Sequence, residues 1–246
     1  MTEAAFLLTV LALALVSMAV FALRGPGKDA DAERKGAQFL LGAGDFLVHW
    51  FMWVLRPVDV VGVRLGLRPD VFNFGGLLCG LASGLLIGAG RLELGGWAIA
   101  LGGVCDIMDG RMARALKLDS PYGKFIDSTL DRFVEVFAFL GFVVFLRGWR
   151  WGPLLAAAAL AGSLLVSYTR ARGESLGVLC REGLMQRAER LVLTCLACLL
   201  DAPLSAWLDR RPGALVVGVL AVIALGTFLT AVHRTVWISR RLRERA

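Results

Sequence analysis

Four carboxylates, Asp106, Asp109, Asp127 and Asp131, fall within 26 residues of a chain that otherwise keeps charge out of its apolar stretches. An ionised carboxylate at membrane depth is costly unless something compensates it, so these residues are read as functional. Asp106 and Asp109 are three apart and Asp127 and Asp131 four apart, so on helices each pair projects from one face. The short connection at 118–121 makes the two helices antiparallel neighbours whose faces can meet. Four like charges in one pocket cannot all stay ionised without a counter-charge. Divalent cations supply one, and a dense set of hard oxygen ligands suits Mg²⁺, Mn²⁺ or Ca²⁺ rather than zinc, whose sites favour His and Cys. Gly110 and Gly123 let a bulky ligand approach the backbone. Arg114, one turn beyond Gly110, is placed to hold a phosphate. The competing reading is a surface ion network pairing the carboxylates with Arg111, Arg114, Lys117, Lys124 and Arg132. It suits any single aspartate better than four at this spacing between glycines.

The elements that must position this cluster are membrane helices. Of 246 residues, 57% are hydrophobic and only 19% charged, with 29 glycines besides. That composition excludes a water-soluble globule and a disordered chain. The expected fold class is all-α, a polytopic membrane protein with a six-transmembrane-helix core, an interfacial amphipathic helix and one extra N-terminal transmembrane helix. Apolar runs near the ~20 residues that cross a ~30 Å hydrocarbon core lie at 4–23, 71–90, 94–116, 122–146, 151–168, 191–207 and 214–237. The first follows almost no positive charge and is expected to be a retained helix rather than a cleaved signal. A polar linker opened by Gly25, Pro26 and Gly27 then sets the expected boundary between a helix-plus-linker region, 1–36, and the main domain, 37–246.

Segment 38–55, rich in Phe and Trp and carrying Asp45 and His49, is expected to lie at the interface with Arg56 among the headgroups. With the N-terminus outside, only Arg91, Arg147, Arg150, Arg210 and Arg211 face outward, and the other 22 of 27 basic residues face the cytoplasm. The bias weakens if 38–55 also spans. Asp106 then falls in the cytoplasmic third of the bilayer, because the helix from 94 rises about 18 Å before reaching it. The site should open to the cytoplasm of a bacterial inner or cell membrane. The net charge of +7 is read as orientation and headgroup charge, not as nucleic-acid binding. Cys195-x-x-Cys198 lacks the second ligand pair a zinc site needs, and Cys79 and Cys105 also lie in apolar runs, so the cysteines are assigned to packing. His233, near the end of the last run, is read as a helix-end residue bonded to the last carbonyls.

The pattern Asp-x-x-Asp-Gly-x-x-Ala-Arg, followed after eight residues by Gly-x-x-x-Asp-x-x-x-Asp, resembles the signature of the CDP-alcohol phosphotransferases, membrane enzymes that make phospholipids. Asp106, Asp109, Gly110, Ala113, Arg114, Gly123, Asp127 and Asp131 occupy all its fixed positions. The resemblance implies a six-helix core preceded by an interfacial helix, matching 38–237, with the first run outside the common pattern. It implies two Mg²⁺ or Mn²⁺ ions held by Asp106, Asp109, Asp127 and Asp131, the last also acting as the base that deprotonates the acceptor alcohol. Gly110, Ala113, Arg114 and Gly123 would contact the cytidine diphosphate of a CDP-diacylglycerol donor, together with Asp70 of the first core helix. That helix reads Asn73 where the family usually carries Thr. The implied reaction is attack of an acceptor hydroxyl on the phosphorus bearing the lipid, with departure of CMP and no covalent enzyme intermediate. The resemblance further suggests a homodimer, and Gly75, Gly76 and Gly80 would permit close helix contacts.

A second basic region bears on the acceptor: Arg170, Arg172, Glu174, Arg181, Arg187, Glu189, Arg190 and Arg234. Part of it is ordinary positive-inside charge. Arg187 and Arg190, three apart at a helix start, favour a shared anion, because guanidinium forks suit phosphate. The segment Ser-Tyr-x-Arg-Ala-Arg-x-Glu, followed by Arg-x-Glu-Arg, is similar to the branch that makes phosphatidylinositol phosphate or archaetidylinositol phosphate. Arg170, Arg187, Arg190 and Arg234 are then the expected contacts to the phosphate of inositol phosphate. Glycerol 3-phosphate is the main rival acceptor, with phosphatidylserine synthesis a further alternative in the same family. An ion or anion transporter would instead be expected to show repeats and broken helices around a midplane site, and this sequence shows neither.

Overall fold

The structure is a computed structural model that describes residues 3–25, 44–180 and 182–245. Its helices are α1 (Glu3–Arg24), α2 (Asp45–Arg64), α3 (Pro69–Gly88), α4 (Leu92–Ala115), α5 (Pro121–Phe145), α6 (Gly152–Ser175), α7 (Arg187–Trp207) and α8 (Ala214–Arg243), with a 3₁₀ turn at Leu146–Gly148. Among the described residues there is no strand. Among the described residues five helices, α2, α3, α6, α7 and α8, are long and apolar enough to cross a membrane. α4 and α5 match them in length but carry the four aspartates and several cations, which sets them apart in composition. The expected domain boundary at 36/37 and Arg181 lie outside the described residues.

Three helices run past the apolar runs that mark them. α2 continues through Arg56 and Pro57 to Arg64 because Val58, Val60, Val61 and Val63 extend the apolar run, although Pro57 contributes no amide to the ladder. Arg56 therefore sits mid-helix and not at a helix end. α6 reaches Ser175, which puts Arg170, Arg172 and Glu174 on its last turns, where Arg170 and Glu174 pair at 2.9 Å. α8 extends to Arg243, stabilised by Arg241 stacking over Trp237 and pairing with Glu244 at 3.4 Å. His233 is consequently not a helix-end residue, and the last carbonyls of α8 lie more than two turns beyond it.

The chain divides into two compact units, one formed by Met1–Arg68 with Arg111–Leu118 and the other by Pro69–Gly110 with Asp119–Ala246. In the first, α1 meets α2 through Phe21 against Phe46 and Trp53, and Trp50 donates to Ser17 at 3.0 Å. Arg111 donates to Asp59 of α2 at 2.9 Å. α4 stops where Lys117 takes a left-handed conformation (φ 56°) and the amides of Lys117 and Leu118 return to the carbonyls of Arg114 and Ala113.

In the second unit, α3 packs along α5 and α6 along α8. Gly84 and Gly141 let α3 and α5 touch backbone to backbone. A Cβ on Gly84 would stand 2.3 Å from the Phe137 carbonyl oxygen, so only hydrogen fits. Gly76 faces Cys105 of α4 and Gly80 faces Val134 of α5, so both glycines seat helices within the chain. Buried Ser83, Ser163 and Thr227 donate to the carbonyls of Gly80, Ala159 and Ile223, satisfying their hydroxyls within their own helices. The apolar core, with Ile87, Phe139, Phe142, Ala156, Leu220 and Ile223, gathers the end of α3, the C-terminal half of α5 and the first halves of α6 and α8. Outward, Leu78, Leu85, Leu140, Leu154, Leu225 and Leu229 are exposed, as lipid-facing side chains are.

One buried carboxylate belongs to this core end. Asp201 of α7, 1% exposed, accepts the amides of Gly213 (2.6 Å), Leu215 (3.1 Å) and Val216 (3.3 Å) at the start of α8. A helix start leaves such donors without intrahelical acceptors and carries partial positive charge. Asp201 is therefore a structural carboxylate that caps a neighbouring helix.

Candidate active site

At the other end of the second unit the helix termini are polar. α4 delivers Asp106 and Asp109 one turn apart near its C-terminus, and α5 delivers Asp127 and Asp131 from its first turns. The start of α5 is well defined: Ser120 is the N-cap and accepts the Gly123 amide at 3.0 Å, and Pro121 occupies the first turn, where its missing amide costs nothing. Gly123 thus has a local role in this cap.

Oxygens of Asp106, Asp109 and Asp127 lie within 4.8 Å of one another, close enough to share one cation. Asp109 is 6% exposed. Asp131 is turned to a different neighbour. Arg187, the first residue of α7, donates from Nη1 to Asp106 at 2.7 Å and from Nη2 to Asp131 at 2.5 Å, one guanidinium bridging carboxylates from two helices. Arg132 reaches Asp131 only at 3.5 Å. All four expected aspartates are therefore together, three as a cluster and the fourth joined to it through Arg187.

The acceptor arginines separate by environment. Arg190, 2% exposed, is fully engaged by Glu135 (2.7 Å) and the Met185 carbonyl (3.2 Å). Arg234, also 2% exposed, donates to the carbonyls of Glu182 (2.8 Å) and Val166 (3.0 Å), which ties α8 to the middle of α6 and the segment before α7. Arg170 pairs with Glu174 on its own helix. Of the four, Arg187 touches the carboxylate cluster, and its Nε is buried with no hydrogen-bond partner. Asp70 is exposed in the first turn of α3. Ala113 and Arg114 occupy the last turn of α4, in the segment assigned to the first unit, as does Arg111, whose guanidinium is directed to Asp59.

Sequence reasoning missed Glu135. It stands four residues after Asp131, so Asp127, Asp131 and Glu135 form one acidic stripe on α5 facing Arg187 and Arg190 on α7. The spacing was available, but the motif ended at Asp131. The convergent oxygens of Asp106, Asp109 and Asp127 can hold a divalent ion, and Arg187 beside them can meet a phosphate.

Comparison with known proteins agrees with this geometry. The model of the CDP-alcohol phosphatidyltransferase family matches residues 67–231, which includes every residue of the cluster. The chain is 36% identical over 205 residues to a phosphatidylinositol phosphate synthase of Streptomyces avermitilis, covering 79% of this chain and 82% of that one. It is 32% identical over 190 residues to an archaetidylinositol phosphate synthase of Methanothermobacter thermautotrophicus, covering 77% and 92%. The fold is similar to crystal structures of the Mycobacterium tuberculosis phosphatidylinositol phosphate synthase. With CDP-DAG bound, that structure gives a TM-score of 0.64 at 26% identity, covering 74% of this chain and 92% of that one. In complex with manganese and citrate, it gives 0.65 at 27% identity, covering 74% and 87%. This chain is an integral membrane enzyme of phospholipid synthesis that belongs to the CDP-alcohol phosphatidyltransferase family.

Proposed function

We propose that the protein transfers the phosphatidyl group of CDP-diacylglycerol to inositol phosphate and releases CMP, making phosphatidylinositol phosphate. The observation that carries the acceptor is Arg187: a guanidinium at the carboxylate cluster whose buried Nε has no partner within the protein. A phosphorylated acceptor offers that donor a dianionic phosphate oxygen, to which a guanidinium bonds more strongly than to a neutral hydroxyl. The relatives named above, synthases of inositol-containing phospholipid phosphates, support the same choice.

The donor set of Asp106, Asp109 and Asp127 is all hard oxygen within one ion's reach, so the residues fit Mg²⁺ or Mn²⁺, with Asp131 completing a site for two ions. Bound there, divalent ions would neutralise the diphosphate and stabilise departing CMP. Asp131 accepts the proton of the acceptor hydroxyl as its oxygen bonds to the lipid-bearing phosphorus and the bond to CMP breaks. Arg187 orients the acceptor through its phosphate, and Gly110, Ala113, Arg114, Gly123 and Asp70 bind the CDP portion. Arg190 and Arg234 hold the segment before α7 against α5, α6 and α8 on the acceptor side, and Arg170 sits at its rim. The site faces the cytoplasm, as the distribution of basic residues supports, with the start of α2 at the interface. The family resemblance supports a homodimer.

CMP release by purified protein, measured with CDP-diacylglycerol, Mg²⁺ and one acceptor at a time, tests this reading. Inositol phosphate should be preferred at least tenfold over glycerol 3-phosphate, serine and inositol. A preference for glycerol 3-phosphate or serine would overturn the acceptor assignment.

A further inference from the structure

We propose that Arg187 is a built-in counter-ion that competes with the second divalent ion for Asp106 and Asp131, and that a phosphorylated acceptor relieves the competition by drawing the guanidinium onto its own phosphate. The inference rests on reading the aspartates as a metal centre. Three of them, Asp106, Asp109 and Asp127, already converge within 4.8 Å. Asp131 is not among those three and instead meets Arg187 Nη2 at 2.5 Å, while Nη1 of the same guanidinium meets Asp106 at 2.7 Å. The first ion therefore meets a formed set of ligands, whereas the second must share Asp131 with a positive charge.

The two neighbouring arginines of α7 are built differently. Arg190 is locked between Glu135 and the Met185 carbonyl at 2% exposure, but the Arg187 side chain is 26% exposed and keeps an unbonded buried Nε. Arg187 is thus the cation that can turn toward an incoming phosphate, with Arg190 fixed behind it. A guanidinium that leaves Asp131 for phosphate frees that carboxylate both as an ion ligand and as the proton acceptor. By linkage, acceptor and second ion must then favour each other's binding by the same factor. The arrangement delays assembly of the complete centre until an acceptor is present, which guards CDP-diacylglycerol against attack by water.

Mn²⁺ binding to the purified protein, followed by the paramagnetic resonance signal of free Mn²⁺, tests this without turnover. Wild type should take up one ion tightly and a second more weakly, and inositol phosphate should tighten the weak phase. Arg187→Gln should tighten that phase by about tenfold without acceptor and abolish the response to acceptor, while the tight phase moves less than about twofold. Arg172→Gln, an exposed arginine bonded to Ser175, should titrate as wild type. A weak phase unchanged or weakened in Arg187→Gln, or a wild-type weak phase indifferent to inositol phosphate, overturns the proposal. Wild type that binds no Mn²⁺ removes the metal centre itself and the proposal with it. If Arg187→Gln does not fold, the wild-type titration with and without inositol phosphate decides alone.

Discussion

Removing the Asp201 carboxylate should damage the fold and spare the chemistry. Asp201→Ala strips acceptors from the amides of Gly213, Leu215 and Val216, bonded at 2.6, 3.1 and 3.3 Å in a site where the carboxylate is 1% exposed. Hydrogen bonds to a charged group contribute roughly 1.5–3 kcal/mol each. The 3.3 Å contact is the weakest, and water can reach part of a freed helix start, so the expected loss is about 3–5 kcal/mol. At roughly 2–4 °C per kcal/mol for a chain of this size, the thermal midpoint in detergent should fall by about 6–20 °C. Asp201→Asn keeps one acceptor oxygen and should lose less than half as much. CMP release at low temperature, normalised to folded protein, should stay within about twofold of wild type, because Asp201 caps α8 at the core end and touches none of the cluster. An unchanged midpoint for Asp201→Ala, or a folded variant without activity, would refute the assignment of this carboxylate to structure.

Gly84→Ala places a Cβ 2.3 Å from the Phe137 carbonyl oxygen and should cost about 1–3 kcal/mol in thermal unfolding, whereas Gly88→Ala meets Val144 at an ordinary 3.6 Å and should be nearly neutral. Arg190→Gln leaves the largely buried Glu135, 11% exposed, without its cation and should destabilise by about 3–5 kcal/mol, with partial recovery in the Arg190→Gln, Glu135→Gln double variant, read by the same unfolding assay. Saturation with Mn²⁺ at a hundredfold over its dissociation constant should stabilise wild type by about 2.7 kcal/mol. Chelation should remove that gain together with activity, and Asp127→Asn should show no such gain.

The membrane helices and the aspartate cluster were legible because both depend on local properties. Apolar runs of spanning length mark helices whatever their neighbours, and spacings of three and four put Asp106 with Asp109 and Asp127 with Asp131 on shared faces. What was not legible depends on residues distant in the chain. Arg187 lies 81 positions from Asp106, and nothing in its local sequence distinguishes a cation bridging carboxylates from one waiting for phosphate. Arg190 and Arg234 read alike as phosphate ligands until their carbonyl and Glu135 partners are seen. Apolar runs stop short of helix ends where arginines continue the helix, as in α6 and α8, because a window of hydropathy stops at the charge and the backbone does not. Asp201 shows the limit of treating every intramembrane carboxylate as functional: three backbone amides account for it completely.

The most direct test of the central claim is CMP release from CDP-diacylglycerol by wild type and by Asp127→Asn, purified side by side and compared at equal folded fraction with Mg²⁺ and inositol phosphate. Asp127 is one of the three carboxylates that converge within 4.8 Å, and replacing it with an isosteric amide removes a charge while leaving the helix and its cap intact. Wild type should release CMP in step with phosphatidylinositol phosphate formation, and Asp127→Asn should fall by at least about a hundredfold. Undiminished release by Asp127→Asn would show that the chemistry lies elsewhere in the chain, and no release by wild type with any acceptor would contradict the transferase itself.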